Sequence, residues 1–328
     1  MTVSVPEPRP APRVAPRAGA GPAGSPPPGA GATGGLAPGE PGARAAAEAL
    51  QPDAEGFVAR VRRRPALLAA AAVLLLLYIL VWALPPLLGL DPDATDPAAS
   101  LAPPSPGHWL GTDELGRDML ARILAGGRIT LTVAALAAAI ALGVGTLVGA
   151  LAGFYRGWVE TVLMRLVDAM MAIPSYFLIV AELAVFGDSP AVVVAVIGLN
   201  YWMPVARLVY AEFLKWRERE FIEAEVALGA SPARIIWRHL FPQVVPSLLA
   251  LLSLAVGWAV LAESGLSYLG LGIQPPDASW GNMLKNAQVY MWTQPMLAIY
   301  PGAAILLTVL CFNVLGNGLR DVLDPRDA

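Results

Sequence analysis

Charge is scarce in this chain of 328 residues: 14% are Asp, Glu, Lys or Arg, whereas an average soluble domain carries about 25%. The net charge of -3 excludes the strong positive field that a nucleic-acid-binding protein presents to phosphates. Cysteine is reduced to Cys311, in an apolar run, so no disulfide can form within the chain, no Cys-rich metal site exists, and a buried inert thiol is expected. The two histidines, His108 and His239, lie far apart, and with one cysteine they supply no convergent catalytic set. No G-x-x-x-x-G-K-[ST] stretch is present to cradle phosphates, so the chain is not expected to hydrolyse a nucleotide. An Asp cluster, DPDATDP at 91–97, does not have the ligand spacing of a Ca²⁺ loop, and its prolines favour a turn.

What the chain has in quantity is apolar side chains, 56% of the total. Runs near the roughly 20 residues needed to cross ~30 Å of hydrocarbon lie at about 66–88, 129–153, 161–186, 190–210, 244–262 and 296–315; the fourth is interrupted by Asn200, Pro204 and Arg207. The expected fold is an all-α membrane protein with six transmembrane helices. Residues 1–56 hold 12 of the 31 prolines among many Gly and Ala, with no apolar periodicity to build a core, so a disordered cytoplasmic tail is expected ahead of a membrane domain at 57–328. The first long apolar run begins only near Ala66, so the tail is not read as a signal peptide.

Arg60, Arg62, Arg63 and Arg64 precede the first span, and alternate threading places 18 of the 22 basic residues on their side. By the positive-inside rule both termini are cytoplasmic and the protein is multi-pass in the cytoplasmic membrane. The opposite face carries two longer segments, 89–128 and 264–295, both candidate surfaces for an external partner; the second is rich in Gly, Pro and aromatic residues and is expected to lie across the outer mouth of the bundle.

The polar break at 218–242 is the most informative stretch. It reads EREFIEAEVALGASPARIIWRHLFP, with Gly229 placed to end one helix at positive φ, Ser231 to cap the next, and Pro232 at its first position. A cytoplasmic helix–turn–helix is expected, rooted in the bilayer at both ends. Arg234 and Arg238 on its second helix suggest a DNA reader, but Glu218, Glu220, Glu223 and Glu225 would repel phosphates, and spans begin within a few residues of both ends. An inert solubilising loop fits the cap and turn chemistry less well. His239, among apolar neighbours, is expected to pack or hydrogen-bond rather than to ligate a metal.

Within the spans, Glu182 is a candidate pathway residue, because intramembrane charge is costly; its nearness to the outer interface favours a structural role. Arg165 and Asp168, three apart, are expected to pair on one helical face. Gly143, Gly145 and Gly149 are expected to allow close helix packing.

Four stretches together carry a resemblance: GTDELGRD at 111–118, EAEVALGA at 223–230 with RHLFP at 238–242, LSYLGLGIQPP at 266–276 followed by SWGNML at 279–284, and NVLGNGLRDVLDPR at 313–326. In this order the chain resembles the permease subunits of ABC importers for dipeptides, oligopeptides and nickel, of the dipeptide-permease C type, over about residues 66–326. The resemblance implies the type I importer fold and identifies the polar break with the "EAA" loop, which docks on a separate ATPase. Glu223, Ala224, Gly229, His239 and Pro242 fall on that pattern, with Ala230, Ser231, Pro232 and Arg234 in the same turn. Glu225 departs from it, standing where a second alanine is usual. The implied partners are a second homologous permease, two ATPase subunits that hold ATP and Mg²⁺, and an extracytoplasmic solute-binding protein; no cofactor is expected in this subunit. The contrasting reading, an ion-coupled secondary transporter, calls for internal repeats and midplane carboxylates, and neither is evident.

Overall fold

The computed structural model describes residues 57–323, so the Pro-rich tail expected to be disordered lies outside the described residues. A short helix, α1 (Phe57–Arg62), leads into the first long one, α2 (Pro65–Leu88), whose first position is a proline that needs no hydrogen-bond partner there. Residues 89–118 form an irregular segment with one 3₁₀ turn. Helix α3 (Met119–Tyr155) follows, capped by Asp118, whose side chain accepts from Ala121 N. It starts ten residues before the apolar run at 129, because the Asp118 cap lets the helix run beyond the hydrocarbon-length stretch.

The stretch at 161–186 is not one straight helix. It is split into α4 (Gly157–Met171) and α5 (Ser175–Phe186), which meet at 85°. Pro174 supplies the reason: it has no N–H and pushes Ile173 away from helical angles. After a turn come α6 (Pro190–Asn200) and α7 (Trp202–Arg217), separated only at Tyr201; Pro204 falls in the first turn of α7, where it is tolerated. Helix α8 (Glu220–Ala227) is short. It is followed by α9 (Pro232–Tyr268), by the short, largely buried helix α10 (Trp280–Ala287) and by α11 (Met296–Leu323).

Five helical stretches are individually long and apolar enough to cross a bilayer, and the bent α4–α5 pair makes a sixth. Contacts at the chain ends decide that the pair is a crossing. Arg64, at the start of α2, is ion-paired with Asp321 in the last turns of α11, and a Cβ built on Gly318 would touch Leu67. A chain whose first and last spans begin and end on one face crosses an even number of times, so there are six crossings.

The core is built on α3, which packs along α6, α7 and α9. Gly145, Gly149 and Gly153 form its contact stripe: Cβ atoms built there would lie 2.5 Å from Val205 Cβ, 2.4 Å from Ala206 O and 2.6 Å from Phe213 Cβ. Gly143, expected to share this role, faces open space, and Gly153 takes its place. Because Ala206 O is backbone and cannot rotate away, Gly149→Val is expected to destabilise the bundle by about 1–3 kcal/mol or more. Thermal unfolding in detergent checks this, with Gly143→Ala as a neutral comparison.

Asp168 pairs with Arg207 of α7 rather than with Arg165, which corrects the expected local pair. The i,i+3 spacing permits the local contact, but the interhelical one also ties α4 to α7. Cys311 is buried.

The segments at the ends of the spans opposite Arg64 and Asp321 are held by buried contacts. Helix α9 continues to Tyr268, further than the apolar run at 244–262. The following loop leads to Trp280, which is fully buried and donates from its indole nitrogen to Ile123 O at 2.9 Å. Gly126 and Gly127 make room for that ring.

Candidate functional site

The polar break forms a knob at the end of α7. Helix α8 closes with Ala230 N donating to Glu225 O and Gly229 N to Val226 O, both at 3.0 Å, the paired bonds of a Schellman motif. Gly229 has φ +78°, a left-handed conformation that a side chain disfavours, and space around it is open. Ser231 then caps α9, accepting from Arg234 N at 3.4 Å, with Pro232 at the first helical position.

The first turns of α9 hold a feature that local spacing does not announce. Residues Ile235–Leu240 are wound as a π-helix, with Phe241 N donating to Ile236 O. Pro242, just after it, cannot donate a backbone hydrogen bond, so the ladder is already interrupted there. The wider turn allows Ile235, Ile236 and Leu240 to be buried together with Ile222 of α8 and Val209 and Phe213 of α7. The knob is therefore rooted in a continuous apolar core rather than tethered by loops.

Its outer surface is also apolar. Leu228 is 84% exposed, Trp237 61% and Val226 60%, with Phe221 exposed as well. Glu223, Ala224, Gly229, Ser231, Pro232, Arg234 and Pro242 are exposed, and Ala230 is half-buried. Large apolar side chains beside polar residues on a rigid projection are what a protein-docking surface presents.

Glu225, the departure from the family pattern, reaches across the turn. Its Oε2 lies 3.7 Å from His239 Nε2, and both side chains are partly shielded. The carboxylate thus bridges α8 and α9 within the knob rather than crowding Glu223. A double-mutant cycle with Glu225→Ala and His239→Ala is expected to return a coupling of about 0.2–1 kcal/mol, the range of partly exposed pairs. Additive effects on unfolding would show that the pair contributes nothing.

Glu182 is not part of the knob. It lies on α5, half-buried, and accepts from Asn200 Nδ2 at 2.7 Å, which ties α5 to the end of α6. Asn200 is buried, donates also to Val196 O, and leaves its Oδ1 without a partner.

Two buried polar groups escaped the sequence reading. Glu263 on α9 is fully buried and receives Ser267 Oγ at 2.7 Å and Ser264 Oγ at 3.4 Å; the only local hint is a glutamate within an otherwise apolar and small-residue run. Arg122, in the first turns of α3, is 1% exposed. Its Nη1 contacts Pro92 O and Asp93 Oδ1 at 3.3 Å and Pro276 O at 3.4 Å, and its Nε lies 3.9 Å from Asp113 Oδ2. Asp113 is itself held by Arg117 Nε at 2.7 Å. No group of three or more His, Cys, Asp or Glu side chains suited to a metal ion occurs among the described residues.

Six crossings with a helix–turn–helix rooted in the spans define a multi-pass membrane protein. The chain belongs to the family of binding-protein-dependent transport system inner membrane components, whose model matches residues 145–327. It is 40% identical to a glutathione transport system permease of Pectobacterium atrosepticum, over 68% of this chain and 74% of that one. It is 38% identical to a probable peptide ABC transporter permease of Sinorhizobium fredii, over 82% and 92% of the two chains. It is also 38% identical to a nickel transport system permease of Escherichia coli, over 75% and 87%. The chain is an ABC-importer permease subunit.

Proposed function

We propose that this subunit forms half of a translocation pathway for small peptides or related solutes, nickel complexes included, and that the knob at 218–242 receives the movement of an ATPase subunit. The observation that carries this reading is the combination of a buried root and an exposed apolar crown: Ile222, Ile235, Ile236 and Leu240 fix the knob to the spans, while Leu228, Val226 and Trp237 face outward. A rigid element of this kind transmits displacement from a docked partner into the helices, and so biases a two-state bundle.

In this reading the partners are a second homologous permease, two ATPase subunits and an extracytoplasmic solute-binding protein. ATP and Mg²⁺ reside in the ATPases, and the permease itself holds no cofactor. The excess of basic residues on the face bearing Arg64, Arg156, Arg207, Lys215, Arg217, Arg234 and Arg320 supports a cytoplasmic assignment for that face, with both termini and the knob on the cytoplasmic side of the membrane. Glu182 with Asn200 is the candidate polar contact of the pathway, since a carboxylate within a span and a buried acceptor without a donor both favour a passing cationic or N–H-bearing solute.

The single cysteine makes the docking claim easy to test. In a Cys311→Ala background, Leu228→Cys is expected to cross-link to an ATPase subunit carrying a single cysteine at its docking groove, and to react with a membrane-impermeant maleimide only in inside-out vesicles. Labelling from the opposite side would overturn the sidedness, and failure of every ATPase position to cross-link would overturn the docking role.

A further inference from the structure

A cavity of about 480 Å³ opens beside the knob, between the ends of α7, α9 and α11. This size lies within the ~300–1,000 Å³ range of small-molecule sites. Its lining is part apolar, with Leu208, Leu251, Leu254 and Leu323, and part charged, with Glu212, Lys215, Arg219 and Arg320 beside Trp216.

The charges of this lining do not cancel. Glu212 is already occupied: Lys215 Nζ lies 3.3 Å and Trp216 Nε1 3.1 Å from its Oε2, and Ser247 Oγ 3.4 Å from its Oε1. Lys215 therefore neutralises Glu212. Arg219 stacks on the Trp216 ring, its Cζ 5.7 Å from the centroid, and neither it nor Arg320 has a carboxylate within ion-pair distance among the described residues. Two unpaired guanidiniums thus face one cavity. Guanidinium forks match phosphate oxygens in pairs, and an anion between them removes their mutual repulsion.

Position selects the source of that anion. The cavity sits where spans meet the bilayer surface, on the face that holds the Arg64–Asp321 pair, and Trp216 is of the type that settles at headgroup level. Leu208 of α7 and Leu251 and Leu254 of α9, which lie further along their spans than the charged lining residues, offer apolar surface to an acyl chain. Basic pockets between membrane helices on this side of a bilayer suit anionic headgroups. We propose that this cavity binds the phosphodiester headgroup of an anionic phospholipid through Arg219 and Arg320. Arg219 immediately precedes α8 and Arg320 lies on the last span, so the bound lipid bridges the root of the knob to α11.

The inference uses the bilayer placement of the spans and rests on the proposed function only for which leaflet is involved. Its readout is retained lipid rather than uptake, so the two can fail separately. The purified transporter complex is exchanged into mixed phosphatidylcholine and phosphatidylglycerol, and tightly held lipid is counted by native mass spectrometry. The wild type is expected to favour phosphatidylglycerol by roughly 30-fold, the preference that two cations produce at a membrane surface. Arg219→Gln with Arg320→Gln should lose most of that preference, and Arg128→Gln, on the opposite membrane face, should keep it. If the double variant fails to assemble, Arg320→Gln alone, near a helix end, should reduce the preference about fivefold. Equal retention of the two lipids, or an unchanged preference in the variants, overturns the proposal. Displacement of phosphatidylglycerol by excess inorganic phosphate would instead assign a free-anion site. An Arg320→Cys cross-link to a partner protein's acidic segment would assign the cavity to that protein; either result overturns the lipid reading.

Discussion

Gly229→Val should abolish ATP-driven uptake by the assembled transporter while the subunit still inserts and folds, and Gly229→Asn should retain most of it. The contrast isolates the backbone. At φ +78° a residue with a side chain costs about 1–2 kcal/mol, more for a β-branched one, whereas asparagine is among the residues that visit this region routinely. Nothing lies within 4 Å of a Cβ at this position, so the penalty comes from the backbone conformation rather than from a tertiary clash at Cβ. The energy is small beside the stability of the bundle but acts directly on the turn whose Schellman bonds come from Ala230 N and Gly229 N. A penalty near 1.4 kcal/mol lowers the ratio of formed to unformed turn about tenfold. Gly229→Asp keeps the permitted backbone but adds a carboxylate to the docking surface, and it too is expected to uncouple transport. Uptake and ATPase activity measured together in proteoliposomes check these outcomes. Full coupling in Gly229→Val would falsify the assignment of this turn to the docking surface.

Arg122→Met should loosen the other face of the membrane domain. Arg122 gathers three separate segments: the residues after the first span through Pro92 and Asp93, the Asp113–Arg117 turn, and the loop after α9 through Pro276. Asp93 is largely exposed, so its contact adds little; the buried contacts to Asp113 and the two carbonyls carry the effect. Their loss is expected to cost about 3 kcal/mol, at the low end for breaking a buried charged network. Lysine should not substitute, because a single ammonium on a flexible stem cannot reach the three directions that one guanidinium spans. Thermal unfolding measures the loss, and limited proteolysis should show new cleavage within 89–118. A melting temperature equal to wild type would mean that the segments hold without Arg122.

Much of the knob was legible because its signals are local. Gly229, Ser231 and Pro232 each act through the backbone of their own turn, so spacing alone places a helix end, a cap and a helix start. Glu225 shows where that reasoning stops. As a departure from a pattern it had no explanation, and its partner His239 lies fourteen positions on, across a turn whose geometry must be known first. The π-helical segment before Pro242 is similar: proline announces a disturbed ladder, but the packing of Ile235, Ile236 and Leu240 against Phe213 determines how it is resolved.

The sequence by itself determined the membrane class, the approximate spans and the polar break between the fourth and fifth, because bilayer thickness and hydropathy act on contiguous residues. Only the tertiary structure decided that the third span is bent by 85° between α4 and α5, that Asp168 pairs with Arg207, that Arg122 is a buried hub, and that Arg219 and Arg320 share a cavity. Each of these depends on groups distant along the chain, and a linear pattern of apolar and polar residues contains no record of which distant groups will meet.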